Sequence, residues 1–237
     1  MNKKAFRIIE VIALTTLIFF GDRIDSFAAS SNGTRFPKQG AAEFGYEYYA
    51  MFRRALSRSY GNLKTSDHFA IVSVGITDWL SLDGKIGMGD LTAKGGIHLP
   101  KLEFDNGFSG GYGFRVKFFE HEQTDVRIIL GGQHISVHPQ DRSIDDDKYE
   151  SFLDDWQICG VVTKKIKCFS PYVGMKLSDC EFVYKINKHD KKRRYSRYHL
   201  GFLFGGDFFL LEEKLRINIE ARLFDESGFS AAAAYLF

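Results

Sequence analysis

Beyond Ser30 apolar side chains recur at every second position, in segments roughly ten residues long, the period of a strand rather than a helix. Leu215–Phe224 is the clearest case. Leu215, Ile217, Ile219, Ala221 and Leu223 alternate with Arg216, Asn218, Glu220 and Arg222. A helix would scatter those charges around its circumference, whereas a strand gathers them on one face. Phe108–Phe119 and Tyr198–Leu210 repeat the pattern. Weaker versions occupy Phe44–Arg53, His68–Thr77, Leu80–Asp90, Val126–Val137, Trp156–Lys165 and Phe169–Cys180, and Phe229–Phe237 ends the chain. The phase breaks near Gly131-Gly132, which predicts a β-bulge there. Ten strands result. Their connections alternate between short links and long polar ones, Ser57–Asp67, Leu91–Gly107, His138–Asp155 and Tyr184–Arg197.

That layout matches a membrane barrel, with tight turns on the periplasmic side and longer loops outside. Each segment has the roughly 9–11 residues that a tilted strand needs to cross the hydrocarbon layer. The expected fold is all-β: a closed antiparallel up-and-down transmembrane β-barrel, most simply of ten strands, with eight to twelve compatible. Period two alone does not say which face is inside, so a soluble lipocalin-like barrel with an apolar interior is the rival.

The first residues favour the membrane. Lys3, Lys4 and Arg7 precede an apolar run from Ile8 to Phe20, with small residues at Ser26 and Ala28. Thirteen residues fall short of the about 20 that a membrane helix needs, so residues 1–28 read as a secretory signal peptide and 29–237 as the barrel domain. Composition narrows the class further. With 32 Lys+Arg against 30 Asp+Glu the chain lacks the basic excess of a nucleic-acid binder. Hydrophobic residues at 44% exclude disorder, and three Cys are too few for a disulfide framework.

Phe229, Ala231, Ala233, Tyr235 and Phe237 are spaced by two and end on an aromatic. This resembles the assembly signal of outer-membrane β-barrel proteins. Gly75–Leu82, followed by Gly84 and Gly87, is similar to the first periplasmic hairpin of small OmpA-type barrels, although ten strands exceed the eight of the smallest members. The resemblance implies residence in the bacterial outer membrane, insertion by the barrel assembly machinery through Phe229, Tyr235 and Phe237, and contact with outer-membrane lipids and lipopolysaccharide. No cofactor, metal or nucleic acid is implied, and a monomer is expected.

With apolar residues facing lipid, the charged ones face inward. Glu47, Arg53, Lys85, Arg115, Lys117, Arg127, Arg216, Glu220 and Arg222 form the expected lumen charge network. Side chains fill barrels of this size, so a plugged lumen and a structural or surface-interaction role are expected, with a narrow pore for small solutes as the alternative. A third possibility is chemical. His134-x-Ser136 has the spacing of outer-membrane lipid A 3-O-deacylases, with acids downstream at Asp145, Asp146, Asp147 and Glu150, but Val137 departs from that family's Asn. The expectation is therefore a protein that is not an enzyme. Lys188–Arg197 is a basic loop suited to an anionic lipid surface. Cys159 is expected opposite a residue near 175, and Cys180 opposite one near 154, so neither meets another Cys.

Overall fold

The computed structural model describes residues 33–96, 101–144, 147–187 and 189–237; the expected signal peptide lies outside them. Twelve strands follow in chain order: β1 (Ala42–Ala55), β2 (Asn62–Gly75), β3 (Leu80–Lys94), β4 (Leu102–His121), β5 (Val126–His138), β6 (Arg142–Ile144), β7 (Asp147–Lys164), β8 (Phe169–Ile186), β9 (His189–Tyr195), β10 (Leu200–Leu210), β11 (Leu215–Leu223) and β12 (Glu226–Leu236). Ten of them form an antiparallel wall in the order β7-β5-β4-β3-β2-β1-β12-β11-β10-β8, and the β7–β8 pairing closes it. The short β6 and β9 pair beyond the ring, on the outer ends of β7 and β8.

The wall is apolar outside. Ile86 and Tyr112 are each 61% exposed, and Leu82, Val173, Met175, Phe204 and Ile219 are exposed with them. Between these positions the alternate residues point inward and are buried, as in β11, where Arg216, Asn218, Glu220 and Arg222 lie inside. A water-soluble barrel has the opposite arrangement, so the lipocalin-like alternative is excluded. A closed wall leaves no unpaired strand edge, which is what permits a sheet to cross lipid.

Four of the expected links are largely strand. β2 starts at Asn62, β3 runs to Lys94, β4 starts at Leu102, β7 starts at Asp147 and β8 continues to Ile186. These extensions escape the periodicity because the pattern inverts past the lipid. Leu63, Leu91, Leu102, Phe104, Leu153 and Phe182 all point inward and pack as one cluster at the outer end, while Glu181 and Lys185 face away from it. An apolar cluster therefore lies inside the outer mouth.

The bulge predicted at Gly131-Gly132 is not there. β5 pairs with β7 without interruption from Val126 to Val137. The phase seemed broken because Ile135 and Val137 belong to the inward apolar cluster. The irregularity lies instead in β4, between Lys117 and Phe119, where Phe118 is extra.

Candidate functional site

Two arrangements stand out: a packed lumen, and a polar cluster on the outer wall.

Glu47, Lys85, Arg115, Arg216, Glu220 and Arg222 are buried in the lumen. Lys85 Nζ meets Glu47 Oε2 at 2.8 Å, and Arg222 Nε meets Glu220 Oε1 at 2.8 Å. Arg115 grips Asp83 with two parallel bonds of 2.8 and 2.9 Å, the fork geometry suited to a carboxylate. Lys117 and Arg127 are only half-buried; both pair with Glu120, at 2.7 and 2.5 Å, near the turn between β4 and β5.

Arg53 departs from expectation. The register of β1 shifts between Met51 and Arg53, so one residue is extra. Arg53 turns outward to donate to Asn62 Oδ1 at 3.1 Å, and Arg54 takes the lumen position with 0% exposure. Arg54 Nη1 donates to Asp155 Oδ2 at 2.7 Å and to Glu226 Oε2 at 3.1 Å. β1 and β7 are five strands apart whichever way round the wall is counted. This ion pair therefore spans the lumen from one wall to the opposite one. Beside it Lys176 meets Asp225 at 3.0 Å and Glu226 at 2.8 Å.

The stretch Gly33–Arg35, ahead of β1, enters the periplasmic half of the lumen. The Thr34 amide and hydroxyl both donate to Asp207, at 2.5 and 2.7 Å. Arg35 reaches Glu43 at 2.5 Å, and Glu43 also holds Arg216. The second terminal nitrogen of Arg115 donates to the carbonyls of Gly33 and Arg35 at 3.0 and 2.8 Å. Gly33, at φ 71, lies so close to Asp207 and Arg216 that a Cβ would collide with both. Between Thr34, Arg115, Cys159, Tyr172 and Glu220 remains a cavity of about 10 Å³, room for roughly one water.

Periodicity missed Arg35, Glu43, Arg54, Asp155 and Glu226. A segment outside any strand has no period to betray Arg35. The doublets Arg53-Arg54 and Asp154-Asp155 did carry a signal, since one member of a like-charged pair in a wall strand must face inward.

On the outside, β5 presents His134, Ser136 and His138, and β7 places Asp154 directly opposite Ser136. Ser136 Oγ lies 2.5 Å from Asp154 Oδ1 and 2.8 Å from His138 Nε2. His134 Nε2 stands 3.4 Å from the same Asp154 oxygen. The histidine on the serine is thus His138, not the His134 picked out by the spacing. Its acid is Asp154, not one of the downstream group, of which Asp147 binds Asn187, Glu150 faces Lys185, and Asp145 and Asp146 lie outside the described residues. Aromatic rings frame the cluster: His134 stacks on Trp156 at 4.2 Å and His138 on Phe152 at 5.6 Å.

The C-terminal residues Phe229, Tyr235 and Phe237 face outward on and just beyond β12. Phe237 packs on Tyr235 at 5.0 Å and on Phe44 of β1 at 5.8 Å, where the last strand meets the first. Lys188 of the basic loop lies outside the described residues, and β9 carries His189–Tyr195 of it as a ribbon along β8.

No family model and no curated protein matches the chain. Similar solved structures include the COG4313 outer membrane channel from Pseudomonas putida F1, at 9% identity and TM-score 0.39, covering 88% of this chain and 99% of that one. The translocator domain of the autotransporter NalP from Neisseria meningitidis gives 9% identity and TM-score 0.40, with 99% and 96% covered. The transport unit of the autotransporter AIDA-I from Escherichia coli gives 12% and 0.37, with 89% and 92% covered. Superposition at this level is loose, and the class of the protein rests on its own closed wall, apolar belt and buried charges. They define an integral β-barrel of the bacterial outer membrane.

Proposed function

We propose that this barrel does not conduct and that it works through its surface, as a structural and interacting element of the outer membrane. The observation that carries this is the Arg54–Asp155 pair, which bridges the full width of the lumen at 2.7 Å. Below it the segment starting at Gly33 occupies the periplasmic half, and above it the apolar cluster closes the mouth. The test is a planar-bilayer recording of the full chain, refolded so that its unboiled band shifts on a denaturing gel. Silence at high protein concentration is expected. Steady unitary steps would establish the narrow pore instead.

The β9 ribbon is the surface proposed to meet lipopolysaccharide. Its cations are braced rather than loose: Lys191 lies over Phe152, Arg194 is 3.9 Å from the Tyr60 ring centroid, and Arg193 pairs with Glu181 at 3.0 Å. A ribbon carrying this many cations attracts an anionic lipid surface. Kinship with small OmpA-type barrels is supported by the tight β2–β3 turn, where Thr77 Oγ1 accepts from the Leu80 amide at 3.0 Å. The outward aromatic end of β12 supports recognition by the barrel assembly machinery.

A further inference from the structure

We propose that Ser136, His138 and Asp154 form an esterase site on the outer wall, acting on the acyl esters of lipids in the outer leaflet. This rests on the outer-membrane reading above, because only a barrel sheathed in lipid brings acyl chains to that wall.

A serine hydroxyl becomes a nucleophile when a base within hydrogen-bond reach takes its proton. His138 Nε2 is at 2.8 Å, within that reach. The Ser136 hydroxyl donates to Asp154 Oδ1 at 2.5 Å, and His134 Nε2 stands 3.4 Å from that same oxygen, so the proton reaches His138 when the hydroxyl turns from Asp154 to the imidazole. Asp154 is thus a positioning residue, fixed opposite Ser136 by the β5–β7 register.

The surroundings match a lipid lying along the wall. On the extracellular side of His138 opens a cleft of about 240 Å³. It is lined by His138, Asp141, Glu150, Phe152 and Lys185, polar enough to hold a headgroup. Toward the membrane, Tyr112, Leu130 and Ile158 are exposed on the outward face and offer a track for an acyl chain. The ester, between headgroup and chain, then falls at the level of Ser136.

The chemistry closes on itself. Ser136 Oγ bonds to the ester carbonyl carbon while its proton passes to His138 Nε2, and the carbonyl electron pair moves onto oxygen. Collapse of that tetrahedral species breaks the bond to the alcohol oxygen, which takes the proton from His138 and departs. Water then attacks the acyl-serine by the same route, giving its proton to His138. The bond to Ser136 Oγ breaks, the proton returns to it, and a fatty acid is released.

The experiment uses the full chain in detergent micelles, with its heat-dependent gel shift recorded for every variant. A fluorophosphonate probe should form an adduct at Ser136, located by peptide mass spectrometry, in folded but not boiled protein. Hydrolysis of para-nitrophenyl octanoate should fall on the order of 100-fold in Ser136→Ala and His138→Gln. Added imidazole should partly restore His138→Gln and leave Ser136→Ala inactive, a rescue that a merely structural histidine does not give. Asp154→Asn should lower kcat with little change in KM, and Asp154→Glu should recover it. Fatty-acid release from phosphatidylethanolamine vesicles against release from lipopolysaccharide distinguishes the two sources of acyl ester. Folded protein that takes no adduct at Ser136, or that reacts equally in His138→Gln, overturns the site. An adduct without fatty-acid release from either lipid overturns the lipid assignment. A chain that never shows the gel shift overturns the barrel reading, and the site with it.

Discussion

Asp154 and Asp155 are neighbours in the chain and lie on opposite sides of a membrane wall. Asp154 is 2.5 Å from Ser136 on the outside, and Asp155 is 2.7 Å from Arg54 across the lumen. Strand geometry alone produces this division, because successive side chains leave the pleat in opposite directions. Two carboxylates of the same chemistry therefore carry unlike energetic weight.

Asp155→Asn should destabilise the barrel by about 3 kcal/mol, since it leaves the buried Arg54 charge short of a partner. Asp154→Asn, at the half-exposed interface, should cost no more than about 1 kcal/mol. Urea unfolding of both variants in micelles, followed by the unboiled gel band, measures the difference. Equal costs would mean that Arg54 and Asp155 do not meet in the folded barrel.

The closure proposed for the lumen rests on separate contacts, which yields a graded expectation for conductance. Removing residues 33–37 takes away the Arg35–Glu43 and Thr34–Asp207 contacts but leaves Leu63, Leu91, Phe104 and Phe182 across the outer mouth. That variant should stay silent in a planar bilayer. Combining the deletion with Phe104→Ala, Phe182→Ala and Arg54→Ala should produce steps. Current from the deletion alone would show that the apolar cluster does not seal.

Phe237 is 75% exposed: its ring meets Tyr235 and Phe44 at the β1–β12 junction, and its amide donates to the Ala42 carbonyl at 2.9 Å, a bond that a change of side chain leaves in place. Phe237→Ala should thus change urea stability by less than about 1 kcal/mol, as exposed positions do. Its amount in the outer membrane of growing cells should nevertheless fall severalfold, because the terminal aromatic is what the assembly machinery would read. Undiminished cellular levels would remove that partner.

Cys159 stands opposite Lys176 and Cys180 opposite Asp155, while Cys168 is exposed in the β7–β8 turn. One alkylation, at Cys168, is expected in the folded protein and three after boiling. The masses with and without reductant should agree. A mass two units lower without reductant would reveal a disulfide and a different register between these strands.

The strands of the wall were legible in the chain from the start, as segments of alternating apolar and polar residues. The alternation in Leu215–Phe224 determined by itself that this segment is a strand with one apolar and one charged face; that the apolar face looks out to lipid was decided by the closed wall. Lipid imposes one requirement, an apolar residue at each outward position, and period two records it directly. The same record fails wherever lipid stops imposing it. Beyond the membrane Leu153 and Phe182 turn inward and the pattern inverts, so β7 and β8 look like loops. Within the segment from Gly33 no period exists, and the bulge near Arg53 moves the lumen charge to Arg54. Tertiary structure alone decided which residues meet. Arg54 and Asp155 are 101 residues apart and Ser136 and Asp154 are 18 apart. Their contacts are set by strand register and the closing of β7 on β8, properties of the whole ring that no single strand contains.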